Sequence, residues 1–303
     1  MRVGINGSDK LLTSELGAIT ADVQQAEANG FTSYWLAQTT LLDAISALAL
    51  AGSGTSTITL GTAVVPTWTR HPQASAAAAL TAQAALGGRF VLGLGLSHQP
   101  AVEGHLHMRW EKPIRHMLDY LDVLEPLLAG GMADHTGEVW SYTGAATRPT
   151  DNPPKVMLAA LGEQMLKIAG RRTHGTILWC VGPITIERQI AAVINEAASE
   201  AGRESPAIVC SLPVWVTDDP EPARQFVGQI LAGYATLPSY RAMLDIEGVH
   251  GIEDISLIGG EQQVTDGLAQ IAASGATDFT AVVMGGNPDE LGRTRAALQA
   301  FED

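Results

Sequence analysis

The sequence predicts an α/β fold, a (β/α)8 TIM barrel with an insertion after the fourth strand, on three observations. Eight short β-rich runs alternate with amphipathic helical stretches along the 303 residues. Runs such as Phe90–Leu96 are continuously apolar, which is typical of parallel strands buried on both faces. A doubly wound open sheet usually carries a glycine fingerprint after its first strand, but the residues at 7–10, Gly-Ser-Asp-Lys, do not form one.

Each strand and helix has its own signal. The predicted strands are Arg2–Asn6, Ser33–Ala37, Thr57–Val65, Phe90–Leu96, Val156–Ala160, Thr176–Val181, Ile208–Val216 and Phe279–Met284. The first helix is predicted to end near Asn29-Gly30. The later helices are predicted to span about 41–51, 72–86, 112–128, 163–172, 184–201, 219–235 and 261–274. Glycines stand where helices end, and Pro72 and Pro183 stand where helices begin. No linker-like stretch interrupts the series, so residues 1–303 are predicted to form one domain.

Composition limits the partners that the chain can have. With 18 basic and 32 acidic residues, the formal net charge is −14, and such a surface repels nucleic acid and anionic membranes. We therefore expect a small-molecule substrate, no nucleic acid and no membrane. No charged-then-apolar leader opens the sequence, so a cytoplasmic protein is expected. Cys180 and Cys210 lie in apolar runs without a CxxC pair, which predicts buried, reduced thiols.

In a barrel of this kind, chemistry takes place at the carboxyl ends of the strands. The predicted strand ends carry few ionisable groups: they offer no paired carboxylates for a glycosidase, no GxSxG and no P-loop. A site with few acids and bases suits hydride transfer, in which a cofactor carries the chemistry. His98, Glu103, His105 and His107 are metal-ligand types, but their spacing recurs by chance and no metal is predicted.

Several segments together resemble the luciferase-like monooxygenase family. These segments are Leu60–Pro66 with Arg70-His71-Pro72, Gly88-Arg89-Phe90, Leu92–Gly95, Met117–Leu124 followed by Thr136–Trp140, Ala159–Gly162 with Ala169-Gly170, and Leu257–Gly260 with Gly275–Asp278. Their order and spacing span nearly the whole chain, and the most similar subgroup is the actinobacterial type that depends on the deazaflavin coenzyme F420. The resemblance implies a homodimer and F420 as the cofactor, with FMN as the alternative.

The resemblance also implies positions for the cofactor. The peptide between Ala63 and Val64 matches a cis bond that backs the central ring, and Leu96, Ser97 and His98 match residues beside the reactive centre. The segment Ala160, Leu161, Gly162 and Glu163 matches the phosphate loop. A glycine and free amides at a helix start favour anions independently, although the Glu163 carboxylate repels phosphate unless it points away.

The chain departs from its F420-dependent relatives after the second strand. They often carry Asp-His there, whereas this sequence has Gln38 and Thr39. We predict Gln38 and His98 as catalytic, with His98 as the acid or base, and Thr39 as cofactor-binding. The implied reaction passes a hydride from F420 C5 to an electron-poor C=C or C=N bond, or accepts one from an alcohol. The alternatives are an FMN monooxygenase that uses reduced flavin and oxygen, and a non-catalytic barrel that binds F420 or another ligand.

Overall fold

Eight parallel strands close into a barrel in the computed structural model, which describes residues 1–39 and 41–301 and, for Leu12, the backbone alone. The strands of the chain are β1 (Arg2–Asn6), β2 (Ser33–Leu36), β3 (Thr59–Thr62), β4 (Val65–Pro66), β5 (Phe90–Gly95), β6 (Met132–Thr136), β7 (Ser141–Ala145), β8 (Lys155–Leu158), β9 (Gly175–Trp179), β10 (Ala207–Val216), β11 (Leu257–Gly259) and β12 (Asp278–Val283). The barrel consists of β1, β2, β3, β5, β8, β9, β10 and β12, in chain order. The predicted fold class is therefore confirmed.

The last barrel strand closes the ring against the first. Arg2 lies opposite Asp278 and Ile5 lies opposite Ala281, in parallel register. An ion pair between the Arg2 Nε and a carboxylate oxygen of Asp278, 2.8 Å apart, joins the amino-terminal ends of the same two strands.

Helices surround the barrel. They are α1 (Leu16–Ala28), α2 (Ala44–Ala51), α3 (Pro72–Ala85), α4 (Gln99–Gly104), α5 (Pro113–Ala129), α6 (Glu163–Arg172), α7 (Pro183–Thr185), α8 (Ala192–Glu200), α9 (Pro220–Ala235), α10 (Pro238–Glu247), α11 (Glu261–Ala273) and α12 (Pro288–Gln299). A π-helical segment, Ile186–Ala191, joins α7 to α8 without a break. Asp43 and Asn287 cap α2 and α12, because their side chains accept hydrogen bonds from free backbone amides. In the described part of the chain, no helix combines the length and apolar character needed to cross a membrane.

The barrel has two buried layers. Outside the sheet, apolar side chains from nearly the whole chain form one cluster between strands and helices. Inside the barrel, Trp35, Val91, Met157, Ile177 and Val209 form a second cluster. A Cβ atom on Gly61 would lie 2.3 Å from the Trp35 ring, so the indole requires glycine on the neighbouring strand. Both cysteines are free and buried, as predicted.

The structure corrects several sequence-based boundaries. The run predicted as one strand over Thr57–Val65 is divided into β3 and β4, with Ala63 and Val64 between them. The segment after His98, predicted as loop, begins with α4. The predicted insertion after the fourth barrel strand is present, and besides α5 it holds an antiparallel hairpin of β6 and β7. Helices α10 and α12 and the short strand β11 were not predicted.

Candidate active site

The predicted site residues follow neighbouring barrel strands at one end of the barrel, here called the mouth. The Gln38 amide, after β2, donates to the Val64 carbonyl at 3.2 Å, and the Ala63 amide donates to the Leu36 carbonyl at 2.9 Å. A Cβ atom on Gly95, at the end of β5, would lie 2.5 Å from the Val64 side chain and 3.4 Å from that of Ala159. The residues after β2, β3, β5 and β8 thus form one contiguous rim.

A kink in the third barrel strand forms part of this rim. The peptide bond between Ala63 and Val64 is cis, which confirms the expectation from the resemblance. After it, Val65 and Pro66 pair with Leu94 and Gly95 of the fourth barrel strand. The main chain of Ala63 and Val64 therefore lies between the strands that lead to Gln38 and to His98.

His98 is the N-cap residue of α4 and lies three residues after the end of the fourth barrel strand. Ser97 adopts a left-handed backbone conformation, with φ of 61°, that turns the chain from the strand into the helix. The His98 ring contacts the rings of Tyr234 and Tyr240 at centroid distances of 5.9 and 5.7 Å. Burial lowers the pKa of His98, so the imidazole is neutral at pH 7. A neutral imidazole has one donor and one acceptor nitrogen, which suits proton transfer.

The two tyrosines beside His98 come from the end of α9 and from α10. Burial raises the pKa of both phenols, so both remain protonated near neutral pH. The rings of Tyr234 and Tyr240 lie 5.0 Å apart, and Trp179 contacts Tyr234 at 6.2 Å. These aromatic rings were not predicted as site residues, and they place an apolar wall on one side of His98.

Helix α10 is held at the mouth by a carboxylate. Glu247, its last residue, accepts hydrogen bonds from the Ile184 amide at 3.2 Å and from the Thr185 amide and hydroxyl, both at 2.8 Å. The carboxylate thus occupies the free amides at the start of α7. A Cβ atom on Gly182 would lie 2.4 Å from the Glu247 carboxyl carbon, so only glycine leaves room for this contact.

The start of α6 is open by comparison. Gly162 is its N-cap residue, no side chain caps the helix, and a Cβ atom on Gly162 would meet nothing within 4 Å. The Glu163 carboxylate pairs with Lys167 one turn later, at 2.5 Å, and this contact lowers its pKa. It lies on the helix surface rather than over the free amides, so the expected repulsion of phosphate is relieved. Gln189 donates to the Leu161 carbonyl at 2.9 Å and links this loop to the next helix.

Four buried side-chain atoms lack a hydrogen-bond partner among the described residues, and three of them belong to the residues after β2 and β4 or to His116, which contacts Trp68 and Thr67. These three are Gln38 Oε1, Trp68 Nε1 and His116 Nδ1, and the fourth is Arg295 Nη1. Buried polar atoms are nearly always paired, so an unpaired set near one mouth indicates a polar ligand or ordered water. Thr39, by contrast, is exposed.

Trp68 and His116 belong to an aromatic cluster beside the fourth barrel strand. The Thr67 amide donates to the Gly95 carbonyl at 2.9 Å, which ties this segment to the mouth. The Trp68 ring lies 3.9 Å from that of His116 and 5.4 Å from that of Trp110. Burial lowers the pKa of His116 to about 4, although Asp119 acts in the opposite direction. His116 was not predicted as a residue of this cluster.

One group of side chains, among those described, has the proximity needed for a metal ion: Asp119, Asp122 and His135. Burial opposes ionisation of Asp119, but hydrogen bonds from Val139, Arg115 and His135 outweigh it and lower its pKa to about 2. Arg172 pairs with Asp122 at 2.9 Å. The carboxylates are therefore neutralised by side chains of the protein, and they fasten the hairpin to α5.

Comparisons with known proteins show the family and the fold of the chain. The family model for luciferase-like monooxygenases matches residues 3–278. A Mycobacterium tuberculosis protein with the provisional name coenzyme F420-dependent oxidoreductase is 30% identical over 291 residues, 89% of this chain and 80% of that protein.

Solved structures give the same fold. The coenzyme F420 dependent tetrahydromethanopterin reductase of Methanopyrus kandleri has a TM-score of 0.78 at 20% identity, over 99% of this chain and 97% of that one. A monooxygenase of Streptomyces bottropensis has a TM-score of 0.79 at 19% identity, over 99% and 98% of the two chains. At these identities the likeness concerns the fold alone.

Proposed function

Because the chain belongs to the luciferase-like monooxygenase family, we propose that it is an F420-dependent oxidoreductase that transfers a hydride between the deazaflavin and a small organic substrate. The relative from Mycobacterium tuberculosis, whose name includes this cofactor, supports the choice over FMN. The observation that carries the proposal is the open start of α6 at Gly162, on the same mouth as Gln38 and His98.

The residues present fit this cofactor on two counts. The uncapped amides that follow Gly162 are donors for a phosphate, and Glu163 is turned away from them. Gln38 Oε1 is a buried acceptor without a donor, and a deazaflavin carries ring N–H and side-chain hydroxyl donors. Ala63, Val64, Leu96, Ser97, His98 and Thr39 would surround the ring system, and Ala160, Leu161, Gly162 and Glu163 would hold the phosphate.

When bound, F420 supplies or accepts the hydride at C5. His98 transfers the accompanying proton, because its neutral imidazole can accept the hydroxyl proton of an alcohol that is being oxidised. In the opposite direction, the imidazolium returns that proton. Gln38 has no titrating proton, so it acts by orienting a bound group through its amide. The aromatic ring of Tyr240, whose phenol stays protonated, packs against His98 and restricts the orientation of the imidazole.

Titration with F420 and with FMN, each oxidised and reduced, tests the cofactor assignment by fluorescence or calorimetry. Micromolar or tighter binding of F420, with weaker binding of FMN, is the expected result. Preference for reduced FMN with oxygen uptake would assign the chain to the monooxygenases, and binding of neither would remove the proposal. For the catalytic assignment, His98→Ala should abolish hydride transfer and leave F420 affinity unchanged. Unchanged turnover in that variant would refute the role of His98.

We also propose that residues 1–303 act as one domain and pair as a homodimer. The main apolar cluster supports a single domain, because it joins residues from Ile5 to Leu298. The family resemblance supports the dimer. Light scattering coupled to size-exclusion chromatography tests the dimer, since one molecule has a mass of 31.8 kDa and a dimer has twice that mass.

A further inference from the structure

Two buried hydrogen-bonding atoms beside the mouth have no assigned partner in the structure. Trp68 is 7% exposed and His116 is 0% exposed, yet Trp68 Nε1 and His116 Nδ1 make no hydrogen bond to any described residue. Their rings lie 3.9 Å apart, tilted by 34°. The two atoms therefore belong to one pair of contacting rings, which the cofactor-binding residues proposed above do not include.

The contacts of the other His116 nitrogen determine what the pair can bind. The Trp140 indole N–H, which can only donate, points at His116 Nε2 from 3.3 Å, and the Thr67 hydroxyl lies 2.9 Å from the same nitrogen. The Trp140 contact requires Nε2 to be the acceptor, which assigns the proton of the neutral ring to Nδ1. The Thr67 hydroxyl can then donate to Nε2 or to the Gly95 carbonyl, which lies 3.3 Å from it. Trp68 Nε1 and His116 Nδ1 are then both donors, so their missing partner is an acceptor.

The surroundings define where such an acceptor would lie. Trp68 comes four residues after Val64, and Thr67 is bonded to Gly95, three residues before His98. Trp110 packs on the Trp68 ring at 5.4 Å and is itself only half-buried, and residues 103–109 before it are all exposed. A ligand would approach the pair from the side of Trp110 and this exposed segment, where the aromatic rings favour a flat, apolar molecule.

We propose that Trp68 and His116 form a substrate subsite that binds the carbonyl oxygen of an α,β-unsaturated carbonyl compound. The inference rests on the proposed function, because the hydride comes from the reduced deazaflavin. The substrate accepts that hydride at its β-carbon, the C=C electron pair moves toward the carbonyl, and the oxygen takes the negative charge. Two N–H donors stabilise an enolate oxygen more than a neutral carbonyl. The α-carbon then takes a proton from water, which restores the C=O bond and leaves a saturated product.

Nuclear magnetic resonance of the indole N–H groups tests the subsite directly. The chain has six tryptophans, and the signal that Trp68→Phe removes is that of Trp68. The probe is 2-cyclohexen-1-one, added with and without oxidised F420, and cyclohexene serves as the probe that lacks the oxygen. We expect 2-cyclohexen-1-one, and not cyclohexene, to move the Trp68 signal downfield. Trp68→Phe, which keeps a ring but removes the donor, should raise the Kd of the probe about tenfold.

A matched control removes a different indole N–H. Trp215 donates to Glu290 at 2.8 Å, so Trp215→Phe should leave the Kd of 2-cyclohexen-1-one unchanged. A second variant, His116→Phe, should weaken binding in the same way as Trp68→Phe. An unmoved Trp68 signal, an equal Kd in Trp68→Phe, or a long-lived water on this N–H that the probe never displaces would each overturn the subsite.

Titration of the wild type and Trp68→Phe with F420 separates this proposal from the previous one. Both should bind F420 equally. Absence of F420 binding in the wild type would refute the cofactor assignment. The Trp68 response to 2-cyclohexen-1-one without F420 would then decide whether the subsite binds a carbonyl oxygen. Equal F420 binding with no response of Trp68 to the probe would refute the subsite alone.

Discussion

The Glu247 carboxylate gives a quantitative test of how α10 is held at the mouth. It accepts three hydrogen bonds, one through Oε1 from Ile184 and two through Oε2 from Thr185. Hydrogen bonds to charged groups contribute about 1.5–3 kcal/mol each, but bonds that share one carboxylate are not additive. We expect Glu247→Ala to lower the free energy of unfolding by about 3 kcal/mol, because the amides of Ile184 and Thr185 lose their acceptor. The Thr185 hydroxyl retains the Met243 carbonyl, 3.0 Å away, as an acceptor.

Glu247→Gln should cost about half as much. The amide oxygen can replace Oε2 and keep both bonds from Thr185, while the amide nitrogen cannot accept from Ile184. Unfolding entropy is about 2.1 cal/mol/K per residue, or about 0.6 kcal/mol/K for this chain length. The expected decrease in Tm is therefore about 5 °C for alanine and about 2 °C for glutamine.

Urea unfolding and thermal scans measure both effects, and Asp245→Asn is the matched control on the same helix. Asp245 pairs with Arg241 at the surface, with side-chain exposures of 66% and 35%, and such pairs contribute less than about 1 kcal/mol. An alanine variant as stable as the control, or a glutamine variant as unstable as alanine, would show that the contact with the start of α7 does not hold α10.

Four further predictions follow from the site and the barrel. Gly162→Asp should cap α6 and keep the fold, but raise the Kd for F420 more than tenfold, because the new carboxylate occupies the free amides at the helix start. Gly162→Ala, which adds a Cβ in open space and no carboxylate, is the control. The pKa of His116 is about 4 in the folded protein and 6.5 in the unfolded chain, so the contribution of its neutral ring to stability is complete above pH 6.5 and is lost as pH falls toward 4. In urea unfolding, the difference in stability between wild type and His116→Phe should therefore change by about 3 kcal/mol across this pH range. Alcohol oxidation that depends on neutral His98 should decline as pH falls below 6.5, through its lowered pKa, and a pH–rate profile without that decline in the wild type would contradict the role of His98 as base. Gly93→Ala should yield little folded protein on expression, because the added Cβ would lie 1.9 Å from the Thr62 carbonyl oxygen.

Local patterns were sufficient to predict the barrel strands. The continuous apolar run at Phe90–Gly95 and the helix ends marked by glycine result from short-range preferences, and the structure bears them out. The helix predicted over 219–235 ends where α9 ends, and α10, which begins only three residues later at Pro238, was not predicted. The break between β3 and β4 at Ala63 was visible only through resemblance, since the flanking residues have the composition of one strand.

The site was less predictable, because it depends on contacts between distant residues. His116 is hydrogen-bonded to Thr67 and Trp140, which lie 49 and 24 residues away in the sequence. Contacts between such distant residues leave no helical or strand periodicity in the sequence. The direction of the Glu163 side chain could not be predicted either, although Lys167 one turn later offers the partner that turns it outward. His98 was predicted because it lies just after a recognisable strand.

Closure of the barrel between β1 and β12 has a consequence for biosynthesis. Arg2–Asn6 leaves the ribosome before the other barrel strands, and its partner Asp278–Val283 emerges only after some 270 further residues have been synthesised. Until then, the growing sheet has two edges whose amides and carbonyls are open to other chains. We infer that the nascent protein is most vulnerable to aggregation in the interval before Asp278–Val283 has emerged and paired with Arg2–Asn6.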